Sequence, residues 1–226
     1  YGTLENLIYI DYVIQQFSKM KLKKINSWAL NILRLGTYQI LFLDKVPDFA
    51  AVNEAVNLSK IHCKRASGFI NGVLRSMIRN KENIKMPDSK KEFEKFLSVK
   101  YSHPQWMVER FLDYFSKDFT ENLLKVNNEI PKLYIRVNTL KASIEDVVNL
   151  LKEKNIQVNR NPYIEEALNV EEGFSQLEEL KIYKEGLIHI QDFSSMLVGK
   201  ILDPQEGQFI IDVCSAPGGK TTHIAQ

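Results

Sequence analysis

The residues best placed to do chemistry stand together near position 215. An apolar, β-rich segment, residues 208–213, runs straight into Cys214, Ser215, Ala216, Pro217, Gly218, Gly219 and Lys220. A strand, a tight glycine-containing turn and a helix form the arrangement by which open α/β sheets hold nucleotide-like ligands at the carboxyl ends of their strands. Glycines let backbone approach the ligand, and a following helix offers unpaired amides to an anionic group. Spacing narrows the choice. A phosphate-cradling loop of the form GxxxxGK[ST] would need glycine where Cys214 stands, and the dinucleotide pattern GxGxxG fails because Gly218 and Gly219 are adjacent with no third glycine after them.

Other reactive residues are sparse. Cys63 and Cys214 lie far apart, and His62, His103, His189 and His223 are scattered singly, so neither a disulfide framework nor a zinc-binding spacing is present. No metal is expected, and a reducing cytoplasm fits this usage. Charge is segregated along a chain of net charge +2. Residues 60–100 carry eleven Lys or Arg against four Asp or Glu, and residues 161–190 carry seven Glu against two Lys. The basic stretch offers Lys64, Arg65, Arg75 and Arg79 as candidate phosphate contacts.

The elements that must position these residues change character along the chain. The first eighty residues read as helices. Asn26 or Ser27 can cap a run, Trp28 to Leu43, so thick in apolar residues that it is expected to be a buried core helix ending near Pro47. Asp48 can cap the next. A third, about 65–80, repeats Phe69, Ile70, Val73, Leu74, Met77 and Ile78 on one face and Asn71, Arg75 and Arg79 on another. Phe93, Phe96 and Leu97 predict a short helix, and Pro104 opens a longer one reaching Phe119. From Pro131 the period shortens. Residues 133–138 read as a strand, Ser143 as the cap of a helix, residues 156–158 as another strand, and the small α/β module runs to about Glu185. A strand over 187–191 and a helix over 193–202 then lead to the glycine turn.

With 44% hydrophobic and 26% charged residues in 226, the composition is that of a folded globular chain with room for more than one core. No apolar stretch reaches the roughly 18 residues a membrane helix needs. The chain begins with Tyr1, so the numbering is expected to start inside a longer protein.

The string DVCSAPGGKTTHIA, residues 212–225, closely resembles the first cofactor-binding motif of RNA 5-methylcytosine methyltransferases, D-x-C-[AS]-A-P-G-G-K-T. Further strings agree along most of the chain. IHIQDFSSMLVGKIL (188–202) is similar to the segment leading into that family's methyltransferase fold, YSHPQWMVERF (101–111) to its preceding linker helix, and LYIRVNTLK (133–141) to the strand opening its small insert. GTYQILFLDKVPDFAAVNEAVNLSK (36–60) and FINGVLR (69–75) resemble the helical NusB-type RNA-binding fold. NusB fold and cofactor motif together resemble the small-subunit ribosomal RNA methyltransferase B family, also called Sun or Fmu.

The resemblance implies a multidomain chain, mainly α followed by α/β: a NusB-like helical domain (1–82), a helical linker (83–128), a small RRM-like α+β insert (129–186), and the beginning of a Rossmann-like class I methyltransferase domain (187–226). It implies S-adenosyl-L-methionine as cofactor, held by Cys214, Ser215, Ala216, Pro217, Gly218, Gly219 and Lys220, with Asp212 shaping the loop through hydrogen bonds. It implies methyl transfer to C5 of a cytosine in 16S ribosomal RNA by a cytoplasmic monomer. The family's nucleophilic cysteine, in a Thr-Cys-Ser segment, and a second one in a Pro-Cys segment would both lie beyond Gln226. An earlier helix of the front end would precede Tyr1. The 226 residues alone are therefore expected to be inert, with Cys214 a small loop-packing residue. A non-catalytic RNA-binding protein of the antitermination type and a tRNA-directed relative remain as alternatives; the tail from Gly186 argues against the first and the NusB-like front end against the second.

Overall fold

The computed structural model describes residues 1–173 and 179–226, which form two compact units, Tyr1–Glu129 and Ile130–Gln226. The first is helical. Two opening helices, α1 (Gly2–Glu5) and α2 (Leu7–Phe17), precede α3 (Ser27–Phe42), α4 (Asp48–His62) and α5 (Ser67–Arg79). Short 3-10 turns at Leu22–Lys24 and Lys64–Ala66 lead into α3 and α5. Asn26 caps α3 by accepting from the amides of Trp28 and Ala29 at 3.0 and 3.3 Å, which satisfies two of the four donors a helix start leaves unpaired.

Ile10, Ile14, Leu33, Ile70, Leu74 and Met77 are wholly buried and make one core from α2, α3 and α5, closed by Ala51, Val52 and Ala55 of α4. Gly36 permits this packing. A Cβ there would sit 2.9 Å from Leu74 Cδ1 and 3.6 Å from Ala55 Cβ, so a larger residue would push α3 off its neighbours. A bidentate Arg34–Asp11 pair, with both contacts at 2.7 Å, joins α3 to α2 at the edge of the core.

The expectation of a fully buried α3 needs correction. Its buried positions are Ala29, Ile32, Leu33, Gly36, Thr37 and Ile40, whereas Trp28, Leu35 and Phe42 are 53%, 47% and 39% exposed. With α1, α2, α4 and α5 against it, the helix has partners on part of its circumference, and Trp28, Leu35 and Phe42 remain partly open to water.

A smaller cluster around Leu97, Val108 and Leu124 holds together α6 (Phe93–Tyr101), α7 (Gln105–Tyr114) and α8 (Lys117–Asn127). The sequence reads as one long helix from Pro104 to Phe119, but the chain breaks at an extended Phe115. Ser116 then caps α8, its hydroxyl accepting from the Phe119 amide at 3.3 Å.

The second unit is built on an antiparallel sheet of order β2-β3-β1-β4, from β1 (Leu133–Val137), β2 (Gln157–Arg160), β3 (Ala167–Glu172) and β4 (Ile188–Ile190). One face packs on α9 (Ile144–Glu153), where Ile135, Val137, Val147, Leu151, Leu168, Val170 and Ile188 are buried together. Ser143 caps α9 at the predicted place, accepting from the Asp146 amide at 3.1 Å and donating to its carboxylate at 2.6 Å. After the short α10 (Lys181–Lys184), β4 pairs with β1 at the sheet edge, Arg136 opposite His189. The strand expected to open the following domain is thus an edge strand of this sheet. Across the other face run α11 (Phe193–Leu202), with Met196 buried against Ile164 and Ala167, and α12 (Gly219–Ile224).

Residues 208–213, expected as a strand, form none. A strand is held by inter-strand hydrogen bonds, and none of the four strands pairs with this segment, so Phe209 and Val213 stand 90% and 88% exposed.

Candidate functional site

The glycine turn is shaped by its own side chains. Asp212, read from sequence as a loop-shaping residue, accepts from the Cys214 amide at 3.0 Å and from the Thr221 hydroxyl at 2.6 Å, spanning the turn from entry to exit. These bonds favour the charged carboxylate, so its pKa lies below the ordinary aspartate value. Ala216–Pro217 is a cis peptide, and Gly218 takes φ +106°, a left-handed conformation that glycine adopts freely and other residues rarely do. Cys214, Ser215, Ala216, Pro217, Gly219 and Lys220 are all exposed and Gly218 half-buried, so the turn presents its surface outward. Cys214 packs against little, contrary to the expectation that it fills the loop, because the segment before it lacks neighbouring strands.

What holds this turn in place was not foreseen. Arg136, in the middle of β1, points to the sheet face opposite α9 and is only 1% exposed. Its guanidinium donates to Gln191 Oε1 at 2.6 Å, to the Gly219 carbonyl at 2.8 Å and to the Thr222 hydroxyl at 3.0 Å. Burial lowers the Arg136 pKa, opposed by the Glu166 carboxylate, and a buried guanidinium needs such acceptors to offset lost hydration.

Two further contacts pin α12 to the same face. His223 Nε2 lies 2.8 Å from Glu166 Oε1, and this hydrogen bond depresses the Glu166 pKa despite its burial. Gln226 donates to the Val137 carbonyl at 3.0 Å and to the Thr139 hydroxyl at 2.7 Å. Gly199 makes room for this: a Cβ there would lie 2.9 Å from the His223 ring nitrogen Nδ1. The sequence carried a signal for Arg136, a charged residue inside the apolar strand Leu133–Val137, but alternation alone does not name its acceptors.

The four candidate phosphate contacts divide into two pairs. Arg75 and Arg79 are exposed on the last turns of α5, and they line a groove with Asp48, Phe49, Val52 and Ile78. Arg75 Nε donates to Asn71 at 2.9 Å, as four-residue spacing on one helical face allows. Lys64 and Arg65 precede the other end of the same helix, so roughly 15 Å of helix rise, at about 1.5 Å per residue, separates the pairs. Among the described residues no cluster of His, Cys, Asp and Glu could hold a metal, and no helix is long and apolar enough to cross a membrane.

Three sequence families match in succession: the NusB family over residues 1–79, the ferredoxin-like domain of RsmF/B-like methyltransferases over 103–176, and the 16S rRNA methyltransferase RsmB/F family over 199–226. The chain is 36% identical over 227 residues to the probable ribosomal RNA small subunit methyltransferase B of Bacillus subtilis (strain 168) and 35% identical to that of Synechocystis sp.; each alignment covers 100% of the chain and 50% of the relative. The chain thus spans about half the length of the curated relatives it matches. Among solved structures, the crystal structure of PH0851 matches 98% of the chain and 49% of its own length, with TM-score 0.70 and 27% identity. A methyltransferase homolog protein from Pyrococcus horikoshii matches 60% of the chain and 44% of its own length, with TM-score 0.54 and 27% identity. A helical NusB-type unit, an antiparallel ferredoxin-like sheet and the glycine turn follow one another in the order these matches require, and over its whole length the chain is similar to ribosomal RNA small subunit methyltransferase B proteins.

Proposed function

We propose that this protein, acting as a cytoplasmic monomer, methylates C5 of a cytosine in small-subunit ribosomal RNA, with S-adenosyl-L-methionine as methyl donor. The observation that carries this reading is the turn at 212–221, cross-braced by Asp212 and clamped from below by Arg136. The residues present fit the donor. A Cβ built on Gly218 would meet only Ser215 O and Thr222 Cγ2, both at 4.0 Å, so the turn keeps one face open to a ligand. Cys214, Ser215, Ala216, Pro217, Gly218, Gly219 and Lys220 would line it.

S-adenosyl-L-methionine, when bound, supplies an electrophilic methyl group on a sulfonium. The chain's own contribution is orientation: Arg136 and Asp212 hold the backbone of the turn still, so binding does not have to order it. Lys64, Arg65, Arg75 and Arg79 contribute phosphate contacts to RNA from the helical unit. Attack on C6 of the cytosine requires a thiolate, and we assign that step to a cysteine outside these 226 residues. Cys214 is already part of the ligand turn, its amide committed to Asp212.

The test uses the full-length protein and labelled S-adenosyl-L-methionine. Methyl transfer to small-subunit ribosomal RNA, mapped to 5-methylcytosine, is the expected result. In calorimetry the methyl donor binds and ATP does not. A protein that bound ATP and ignored the methyl donor would show that the turn serves a phosphate chain and that this reading is wrong.

A further inference from the structure

The N-terminal end of α3 and the C-terminal end of α4 meet at a feature the core does not explain. Trp28 is 53% exposed and stands outside the residues that pack the helical core. His62, the last residue of α4, lies flat on it, with ring centroids 4.2 Å apart and planes 9° from parallel. One face of the indole is therefore covered and a large part of the rest is open to solvent. Ile61 beside it is 75% exposed.

The two chain segments that adjoin this stack are basic. The connector entering α3 carries Lys19, Lys21, Lys23 and Lys24, and the end of α4 with the turn after it carries Lys60, Lys64 and Arg65; all seven are exposed. No Asp or Glu stands between Tyr12 and Leu43 or between Ala55 and Lys81, so neither segment carries a neutralising charge along its own length. None of the seven takes part in an ion pair among the described residues. The two basic segments are some forty positions apart in sequence, and the Trp28–His62 stack shows that folding brings them together.

A surface that only kept the protein soluble would need the lysines but not the indole. A surface for an apolar partner would need the indole but not seven unpaired cations. Aromatic faces ringed by Lys and Arg suit a ligand that is both flat and polyanionic, and each nucleotide of an unpaired strand has these two properties. A base inside a duplex is stacked on its neighbours and cannot lie on a side chain. We propose that Trp28, backed by His62, is a stacking platform for an unpaired RNA base, with Lys23, Lys24, Lys60, Lys64 and Arg65 holding the adjoining phosphates. This rests on the RNA-binding reading of the helical unit and adds to it a place, distinct from the Arg75–Arg79 end of α5, and a ligand class, single-stranded RNA.

The experiment measures, with the full-length protein, the Kd and its salt dependence for a labelled oligoadenylate and for an RNA duplex of the same length. Trp28→Ala should weaken oligoadenylate binding about tenfold, about 1.4 kcal/mol, while leaving its salt slope and the duplex affinity unchanged. Trp28→Phe should restore most of the loss. Lys23→Glu combined with Lys64→Glu should flatten the salt slope. Trp28 is outside the core, so circular dichroism should match the wild type in each variant. Unchanged oligoadenylate binding in Trp28→Ala, or equal losses for single strand and duplex, would overturn the platform while leaving RNA binding by the helical unit intact. Failure of the wild-type protein to bind either RNA would overturn the RNA reading of that unit, and the platform with it.

Discussion

The helical core around Leu33 and Leu74 and the turn around Gly218 are ordered by different means. In the first, residues such as Ile10, Leu33, Leu74 and Met77 are wholly excluded from water, and order comes from apolar contact on every side. In the second, Cys214 through Pro217 are exposed, and order comes from a few directed hydrogen bonds to Asp212 and Arg136. Apolar packing tolerates small shifts of any one atom, whereas a guanidinium with three acceptors fixes a backbone carbonyl at a definite point. Hydrogen bonds from beneath order a turn without covering its surface, which apolar packing on every side would do.

This contrast can be broken or sharpened by measurement. The largest effect is expected in the core. Leu74→Ala should cost this 226-residue chain about 2–5 kcal/mol in urea denaturation of the helical unit. Phe209→Ser, also a large apolar residue lost but one that is 90% exposed, should stay within about 0.5 kcal/mol. Comparable losses from both would abolish the distinction.

Arg136→Met should come next. Removing a buried, hydrogen-bonded charge is worth about 1.5–3 kcal/mol, and the loss should be local: amide hydrogen exchange should quicken from Asp212 to Thr222 and stay unchanged in α3 and α5. A uniform change throughout the chain would mean that Arg136 does not specifically hold the turn.

The smallest effect is expected at Glu166. Its pKa is depressed in the folded protein by the hydrogen bond to His223, so it contributes stability that is fully present above the ordinary glutamate value of about 4.3 and is lost as pH falls through the depressed one. For a partly exposed pair the size is about 0.2–1 kcal/mol. Glu166→Gln should flatten the acid limb of the stability–pH curve of the second unit, and an unaltered limb would show that the pair contributes nothing there.

Much of this was legible in local sequence because the deciding interactions are local. The cap at Ser143 is bonded three residues away, the Asn71–Arg75 bond spans one helical turn, and the Asp212 brace closes over nine positions. Such geometry follows from spacing alone, as does the helical period of α5. The glycine turn at 214–220 was legible for the same reason.

What spacing could not settle depended on which partners the rest of the chain supplies. Residues 208–213 have the composition of a strand, yet strand formation requires hydrogen-bonding neighbours, and β1 to β4 pair only with one another. Trp28 has the composition of a core residue, yet its outward direction was decided by where α2, α4 and α5 dock. Arg136 lies more than eighty positions before Gly219, and Lys24 about forty before Lys64. Sequence by itself determined most of the helices, the caps at Asn26 and Ser143 and the shape of the turn, since each is set by bonds within a few residues, whereas Asp48, expected to cap α4, is its first helical residue and makes no cap bond. Only the tertiary structure decided which apolar groups lie inside, which cations gather, and which arginine holds the turn, since contact between distant residues exists only after the chain has closed upon itself.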